Sequence, residues 1–512
     1  MPVIEDPSVR FGRATASGAS VPAAPSSAGI LHLGLGNFHR AHQAVYTAAA
    51  VAEGGRDWGI IGVASRSRSV VDAIRAQDHL YSVAEISPSG MSLTVPGVHT
   101  DAFVAAEQPA RVVSSVADPA IRVVTLTVTE NGYSYSASTG RLDTDDPGVI
   151  SDLRGGDPTT TIGQLARGLQ RRAADGAPVT ILSCDNLAAN GEHTGSLVRE
   201  FLAALPGSEG AEALAYLDQS VAFPSSMVDR IVPATTAKLR RDVAGVLGAW
   251  DEATVPAEPF TMWAIEDRFA GGRPAWEAGG AVFTDEVGRY EQMKVRLLNG
   301  THSLIAYLGA LRGEATIPGA IALDSIENAA RAVLRREYGP SVDMPSDVDP
   351  RAYEEQLFER WGNSALGHRT TQVGTDGSVK LGQRIPQPVA SALDSGRMPH
   401  MIALTTAGYL ACMAPLSGFD PGPHAAAMTD SARERLAVLA ATSRDGRDLA
   451  HRAIAGLHLF GQDLAERTPF IDRVGELLDT IVRYGVDAAI GESVSASEAS
   501  EHLQARTKET PR

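Results

Sequence analysis

Cysteine is almost missing from these 512 residues: Cys184 and Cys412 stand far apart and are the only two. Such a pair builds neither a disulfide framework nor a cysteine zinc cluster, and a reducing cytosol is the compartment that suits it. No His-Glu-x-x-His occurs, and no metal site is expected. Long apolar runs are missing too. The most apolar helix-like stretch, Met401 to Leu416, is short and interrupted by Thr405, Thr406 and Gly408. It reads as a buried helix and not a membrane span. The first residues carry Glu5 and Asp6 and no apolar core, so no secretory signal is read there. Positive charge is in deficit, 45 Lys and Arg against 61 Asp and Glu, for a net charge of −16. That argues against a nucleic-acid or anionic-membrane partner. It leaves open a local basic pocket for a small substrate.

What is present is ample apolar material, 44% of a chain too long for one ordinary core, so two domains are expected. Residues 1–27, rich in Ala, Ser, Pro and Gly, read as a disordered tail. Gly29 to Gly36 begins as a buried strand and ends in glycines, and Asn37 to Ala50 follows with helical spacing. Trp58–Ala64, Arg122–Thr129 and Pro178–Ser183 are further strand-like runs; Ser69–Gln77 and Ile162–Ala174 are helical. Strands alternating with helices imply a parallel sheet covered on both faces. From about residue 286 the patterning is helical throughout, without strand alternation, as far as 493. The small and polar residues 494–512 read as a frayed tail.

Gly34-x-Gly36, directly after an apolar strand and before a helix, is where a dinucleotide pyrophosphate rests: glycine admits the phosphates close to the backbone, and the helix start supplies free N–H groups. The third glycine of the fingerprint is replaced by His39, so a tight structural turn is the plainer alternative. At the end of the second strand no acid awaits a ribose 2′-hydroxyl; Arg66 and Arg68 stand there instead. They would suit a 2′-phosphate, or lie solvated at the surface. The expected cofactor is NAD, with NADP open.

The stretch Lys294-Val-Arg-Leu-Leu-Asn-Gly-Thr-His302 carries the candidate chemistry. On a helix turning about 100° per residue, Lys294, His302 and Asn299 fall at roughly 0°, 80° and 140°. One broad flank thus offers an amine, an imidazole and an amide. A lysine among aliphatics loses hydration of its ammonium form, so its pKa falls and it can act as a base. Taken singly, each has a blander use: Lys294 snorkelling to solvent, Asn299-Gly300 marking a turn, His302 satisfied in the core.

Gly34-Leu-Gly-Asn-Phe-His-Arg-Ala-His42, taken with Lys294-x5-Gly-x-His302, resembles the polyol-specific long-chain dehydrogenases, the mannitol dehydrogenase family. Thr129-Glu-Asn-Gly-Tyr133, Ser183-Cys-Asp-Asn-Leu-Ala-Ala-Asn-Gly191, Trp263-Ala-Ile-Glu-Asp-Arg-Phe269 with Gly272-Arg-Pro274, and Asp376-Gly-Ser-Val-Lys380 resemble it as well, in order, from about residue 30 to 490. The resemblance implies an α/β Rossmann-type N-terminal domain (28–285) with a parallel-rich sheet and a mainly α-helical C-terminal domain (286–493). It implies a site in the cleft joining them and metal-free hydride transfer. Leu33, Gly34, Gly36, Asn37, Phe38, Arg66 and Glu130 would meet the cofactor. Lys294 would be the general base or acid, Asn299 with Asn190 would hold the oxyanion, and Glu291 would pass protons to water. His302, Asp229 and Lys380 would grip substrate hydroxyls. Asn186, in the same loop as Asn190, is the alternative second donor.

One departure concerns substrate. Gln372 stands eight positions before Lys380, where the mannitol-oxidising pattern has an arginine. The run His368-Arg-Thr-Thr-Gln372 looks more like the fructuronate reductase side of the family. There His368 or Arg369 would meet a carboxylate; a solvated helix face is the plainer use. Mannitol/fructose is the leading pair and mannonate/fructuronate the second, with other sugar acids and pentitols behind. Tyr290-x-x-x-Lys294 matches the Tyr-Lys pair of short-chain dehydrogenases by chance, since those chains are about half this length. A non-catalytic nucleotide-binding regulator is the rival from another class, but it has no use for a desolvated base. The expected partner is a small polyol, ketose or sugar acid, and the resemblance leans to a monomer.

Overall fold

The computed structural model describes residues 9–16, 20–136 and 139–508. It divides into two units, Met1–Gly288 and Arg289–Arg512. Unit 1 contains β1 (Ala28–Leu33), β2 (Gly59–Ala64), β3 (Val83–Ser87), β4 (Gly90–Thr94), β5 (His99–Val104), β6 (Val123–Leu126), β7 (Val179–Ser183), β8 (Val221–Ala222), β9 (Ser226–Asp229), β10 (Val255–Ala257), β11 (Met262–Ile265) and β12 (Val282–Phe283). Six of them form one sheet in the order β5-β2-β1-β6-β7-β8, and every pairing in it is parallel. Consecutive side chains point to opposite faces. Ile30, Ile60, Val123 and Leu182 therefore enter one core, and Leu31, Leu33, Val124 and Ile181 the other. Two buried faces explain why these strands read as near-continuous apolar runs. The order reverses between β1 and β6, and in such sheets the crevice beyond the carboxyl ends of the strands at that point is where ligands bind.

Two three-stranded sheets, β10-β3-β4 and β12-β11-β9, accompany it; their strands are too short or too polar to declare themselves in sequence. Two boundaries differ from expectation. The helix read over Asn37–Ala50 is two helices, Asn37–Ala41 and Gln43–Ala52, parted at His42 with φ −124° and ψ −89°. Part of the expected tail 1–27 is packed: Phe11 is buried among Leu80, Val95, Leu239 and Val243, and Phe11 N donates to Trp250 O at 2.9 Å. Residues 1–8 and 17–19 of that tail lie outside the described residues.

Unit 2 is helical, with no named strand among its described residues. Its central helix, His400–Met413, is buried from Met401 to Met413. Its first N–H groups, at Met401 and Ile402, both donate at 2.8 Å to the buried carboxylate of Glu337. No described helix is long and apolar enough to cross a membrane. The run read as one helix over 472–491 breaks at Gly485 (φ +88°) into Thr468–Tyr484 and Val486–Lys508. The second helix replaces most of the frayed tail expected from 494, with Ser493 and Ser497 buried; residues 509–512 lie outside the described residues. Three segments, Lys294–Gly300, Val333–Tyr338 and His451–Gly456, are π-helical, hydrogen-bonded i to i+5.

Beneath the glycine turn of unit 1 lies a nest of histidines. His32, on β1, stacks on His39 with ring centroids 3.4 Å apart and 12° from parallel. His39 Nε2 lies 3.1 Å from His99 Nε2. His32 Nε2 lies 3.0 Å from Gly34 O, which only accepts, so Nε2 carries the proton and Nδ1 accepts from Thr125 Oγ1 at 2.8 Å. Burial, the largest cause in each case, brings His32 and His99 down to about 3 and holds His39 well below 6.5. Depressed folded values mean that the unfolded chain binds more protons. The stability these rings contribute is full above pH 6.5 and is lost as pH falls toward 3. Thermal unfolding of unit 1 should therefore move to lower temperature between pH 7.5 and 5, and less so in His99→Phe. A transition that stays fixed over that interval contradicts the buried neutral nest.

Candidate active site

Gly34 has φ +110°, and a Cβ there would stand 2.1 Å from Thr127 O, so the turn itself requires glycine. Gly36 is different: its nearest own-chain atom to such a Cβ is Gly34 O at an ordinary 3.7 Å. Nothing among the described residues demands glycine at 36, whereas a phosphate laid against the backbone would. His39, in place of the third glycine, is the ring that stacks on His32. Asn37 Oδ1 accepts from Arg40 Nη2 at 2.7 Å, and Phe38 stacks on His42 at 4.9 Å.

A cavity of about 320 Å³ opens at the carboxyl ends of β1, β2, β5 and β6, lined by Leu33, Gly34, Val63, Arg66, Ala105 and Val128 among others. Arg68, the other arginine of the pair, is committed to Glu107 at 2.7 Å. Glu130 opens the short 3-10 turn Glu130–Tyr133 just beyond β6. The approach to it is strained, since Thr129 is β-branched yet has φ +68°. Asp185 holds that backbone, accepting from Val128 N and Thr129 N at 3.0 Å each and from Tyr133 OH at 2.8 Å. The Thr129–Tyr133 and Ser183–Gly191 motifs are thus two halves of one clamp.

Asn190 opens the helix Asn190–Ala203 that follows the loop after β7. Its Nδ2 donates to Asp185 O at 3.0 Å and to Ser226 O at 2.8 Å, and its Oδ1 accepts from Ser226 N at 3.0 Å. It is fully buried. Both acceptors are backbone carbonyls, so in this structure the side chain ties β9 to the loop after β7. Asn186, the alternative, is exposed. Asp229, the last residue of β9, is buried.

In unit 2, Glu291, Lys294, Asn299 and His302 share one unbroken helical run, Val287–Met293, Lys294–Gly300 and Thr301–Leu311. Its middle is not α-helical, which overturns the 100° spacing. In i to i+5 bonding, residues five apart come closer to one face, and Lys294 and Asn299 are five apart. Lys294 and Asn299 are half-buried between Met293, Leu297, Leu298 and Gly300. Gly300 marks no turn. A Cβ there would stand 2.5 Å from the ring of Tyr338 in the second π segment. Arg296 anchors the same segment to Ser341 O and Gln387 Oε1. Tyr290 is buried with its hydroxyl on Asp347, a structural use.

His302 is buried, with Nε2 unpartnered. Its ring meets that of His368 edge-on at 4.9 Å. Burial first, then His368 and the charges of Arg384, Arg360 and Lys380, push His302 well below 6.5; burial, with Arg360 and Lys380, brings His368 down to about 4. Burial thus favours the neutral imidazole at both positions. Arg369, its neighbour, is exposed. Lys380 is half-buried and donates to Thr375 O at 2.6 Å. Sequence reasoning missed Arg384, although it stands four residues after Lys380, on the same helix face.

Family models place this arrangement. The mannitol dehydrogenase Rossmann domain matches residues 28–278, and the mannitol dehydrogenase C-terminal domain matches 286–482. The chain belongs to the mannitol dehydrogenase family. It is 35% identical over 452 residues to the D-mannonate oxidoreductase of Escherichia coli (87% of this chain, 91% of that one). It is 33% identical over 389 residues to a polyol:NADP oxidoreductase of Gluconobacter oxydans (75% and 79%). Among solved structures it resembles Pseudomonas fluorescens mannitol 2-dehydrogenase in ternary complex with NAD and D-mannitol. That match has TM-score 0.81 and 30% identity and covers 95% of this chain and 100% of that one. The chain is therefore an oxidoreductase, a dehydrogenase of CH–OH groups, and the purely regulatory alternative falls away.

As a member of this family the protein should tolerate loss of Asn190 poorly for structural reasons. Asn190→Ala strands Ser226 N, the buried Ser226 O and the part-buried Asp185 O and is expected to cost about 1–3 kcal/mol. Denaturant unfolding measures it. Unchanged stability with a collapsed kcat would instead assign Asn190 to the oxyanion.

Proposed function

We propose that this protein interconverts a secondary alcohol of a polyhydroxylated chain and its ketone, using NAD and also accepting NADP, in the cytoplasm, where two buried free thiols suit a reducing medium. The observation that carries the reading is the π-helical register of Lys294–Gly300, which draws an amine and a carboxamide toward one face. The glycine turn and its cavity fit a dinucleotide; Leu33, Gly34, Gly36, Asn37, Phe38, Arg66 and Glu130 would hold it. The nicotinamide supplies the hydride acceptor.

The chain's own residues do the rest. Lys294 takes the proton from the alcohol oxygen as the C–H bond breaks, a role worth typically ~10²–10⁴-fold. Asn299 aims its N–H at the same oxygen, where negative charge develops only as the reaction proceeds. Glu291, three residues before Lys294 on the same helix, relays the proton to water. His302, Asp229, His368 and Lys380 orient the other substrate groups. Mannitol/fructose and mannonate/fructuronate are the two candidate pairs; the relatives' identities, 35% for the mannonate enzyme and 30% for the mannitol one, do not choose between them.

Lys294→Ala should abolish turnover while dinucleotide binding, read by fluorescence quenching, persists. An unchanged kcat removes Lys294 from the chemistry. Asn299→Ala should lower kcat more than it raises KM, because the donor acts mostly in the transition state; an equal kcat would deny it that role. For the cofactor, Arg66→Ala should weaken binding of 2′,5′-ADP while leaving ADP nearly as before, measured by calorimetry. Equal losses for the two ligands would mean that Arg66 does not meet a 2′-phosphate.

A further inference from the structure

The helix Gly377–Arg384 carries Lys380 and Arg384 four residues apart, a spacing at which like charges repel. Burial is the largest cause lowering the pKa of each. Among the described residues neither has a carboxylate within ion-pair distance. The acids acting on Lys380 are Asp376 and Asp430 at longer range. Asp430 is already taken by Ser378 N at 2.8 Å, Ser378 Oγ at 2.6 Å and Tyr409 OH at 3.2 Å. Among the described residues, the groups opposing that shift at Arg384 are the hydroxyls of Tyr307 and Tyr338. Other arginine-rich hollows in this unit are unlike it. Around the cavity lined by Arg331, Arg335 and Arg336, those guanidiniums pair with Glu327, Glu354 and Glu498.

A half-buried cation without a counter-charge is costly, and here Lys380 and Arg384 both act electrostatically on His302, whose Nε2 is unpartnered. Arg384 also touches the candidate chemistry. Its Nη1 donates to Asn299 O at 3.0 Å and to Ser303 Oγ at 2.7 Å, and Ser303 Oγ in turn donates to Asn299 O at 3.1 Å. Of a guanidinium's five N–H donors, those on Nη2 and Nε remain, in the planar fork that matches a carboxylate.

We infer that Arg384, with Lys380, binds a carboxylate of the substrate, so that this enzyme acts on a polyhydroxy acid in preference to a neutral polyol, and that the same guanidinium fixes Asn299 in its π-helical position. The inference rests on the reading of Lys294 and Asn299 as the reacting site. It reverses the order of substrates drawn from sequence. Arg384 is both a specificity determinant and a positioning residue, because its fork holds the acid while its other nitrogen holds the backbone of the oxyanion donor.

The test compares oxidation of D-mannonate and D-mannitol by the full-length protein. Wild type should favour mannonate in kcat/KM by on the order of 100-fold, the scale of a charge-assisted pair. Arg384→Gln, which keeps a donor for Asn299 O but no charge, should erase most of that preference, chiefly through the KM of mannonate. Arg384→Lys should retain part of it. Thermal shift gives a second readout. Mannonate should raise the unfolding temperature of wild type and of Arg384→Lys but not of Arg384→Gln, and mannitol should raise none of the three. Equal use of the two substrates by wild type, or a preference that survives in Arg384→Gln, overturns the inference and leaves the dehydrogenase reading standing. If neither substrate is turned over with either nicotinamide cofactor, the reading of the site falls and the inference falls with it.

Discussion

The hydrogen-bond register of seven residues, Lys294–Gly300, sets the terms for unit 2. An α-helix there would turn Asn299 well away from Lys294; the i to i+5 register swings it back. That register has visible supports. Arg296 is anchored to Ser341 and Gln387, the ring of Tyr338 fits only against a residue without Cβ at 300, and Arg384 with Ser303 holds the carbonyl of Asn299. Several contacts over-determine a conformation that isolated helices avoid, the usual condition under which unfavourable backbone persists.

Unit 1 solves a different problem with similar means. A parallel sheet buried on both faces must present its carboxyl edge to a charged ligand while its core stays dry. His32 does both, occupying a core position on β1 with an imidazole whose two nitrogens satisfy Thr125 and the carbonyl of Gly34. His39 stacks on it where a glycine would otherwise let helix and strand approach. Asp185 performs the matching task across β6 and β7, keeping Thr129 in a conformation that its side chain disfavours.

Much of this was legible in the sequence because burial leaves a pattern. The strands β1, β2, β6 and β7, the glycine turn and the helices of unit 2 follow from apolar periodicity, and the motif order identifies the family. Other features left no such trace. β8, β10 and β12 are two or three residues long, too short for alternation to register. A π segment has the composition of an α-helix, so the spacing of Lys294, Asn299 and His302 was drawn on the wrong cylinder. Asn190 looks like a free carboxamide until Ser226, 36 residues away, takes up its amide. Arg384 reads as a helix-end cation, and only its half-buried place without an acid in reach marks it as something else. Contacts distant in sequence decide all of these.

The central claim is that the Lys294 amine moves the substrate proton. Small primary amines added to Lys294→Ala test it most directly. Turnover should return in proportion to free amine, with a rate that rises with amine basicity and a pH profile that follows the added amine in place of the lysine. Turnover that persists in Lys294→Ala without amine, or that no amine of fitting size restores in a folded, dinucleotide-binding variant, would contradict the account.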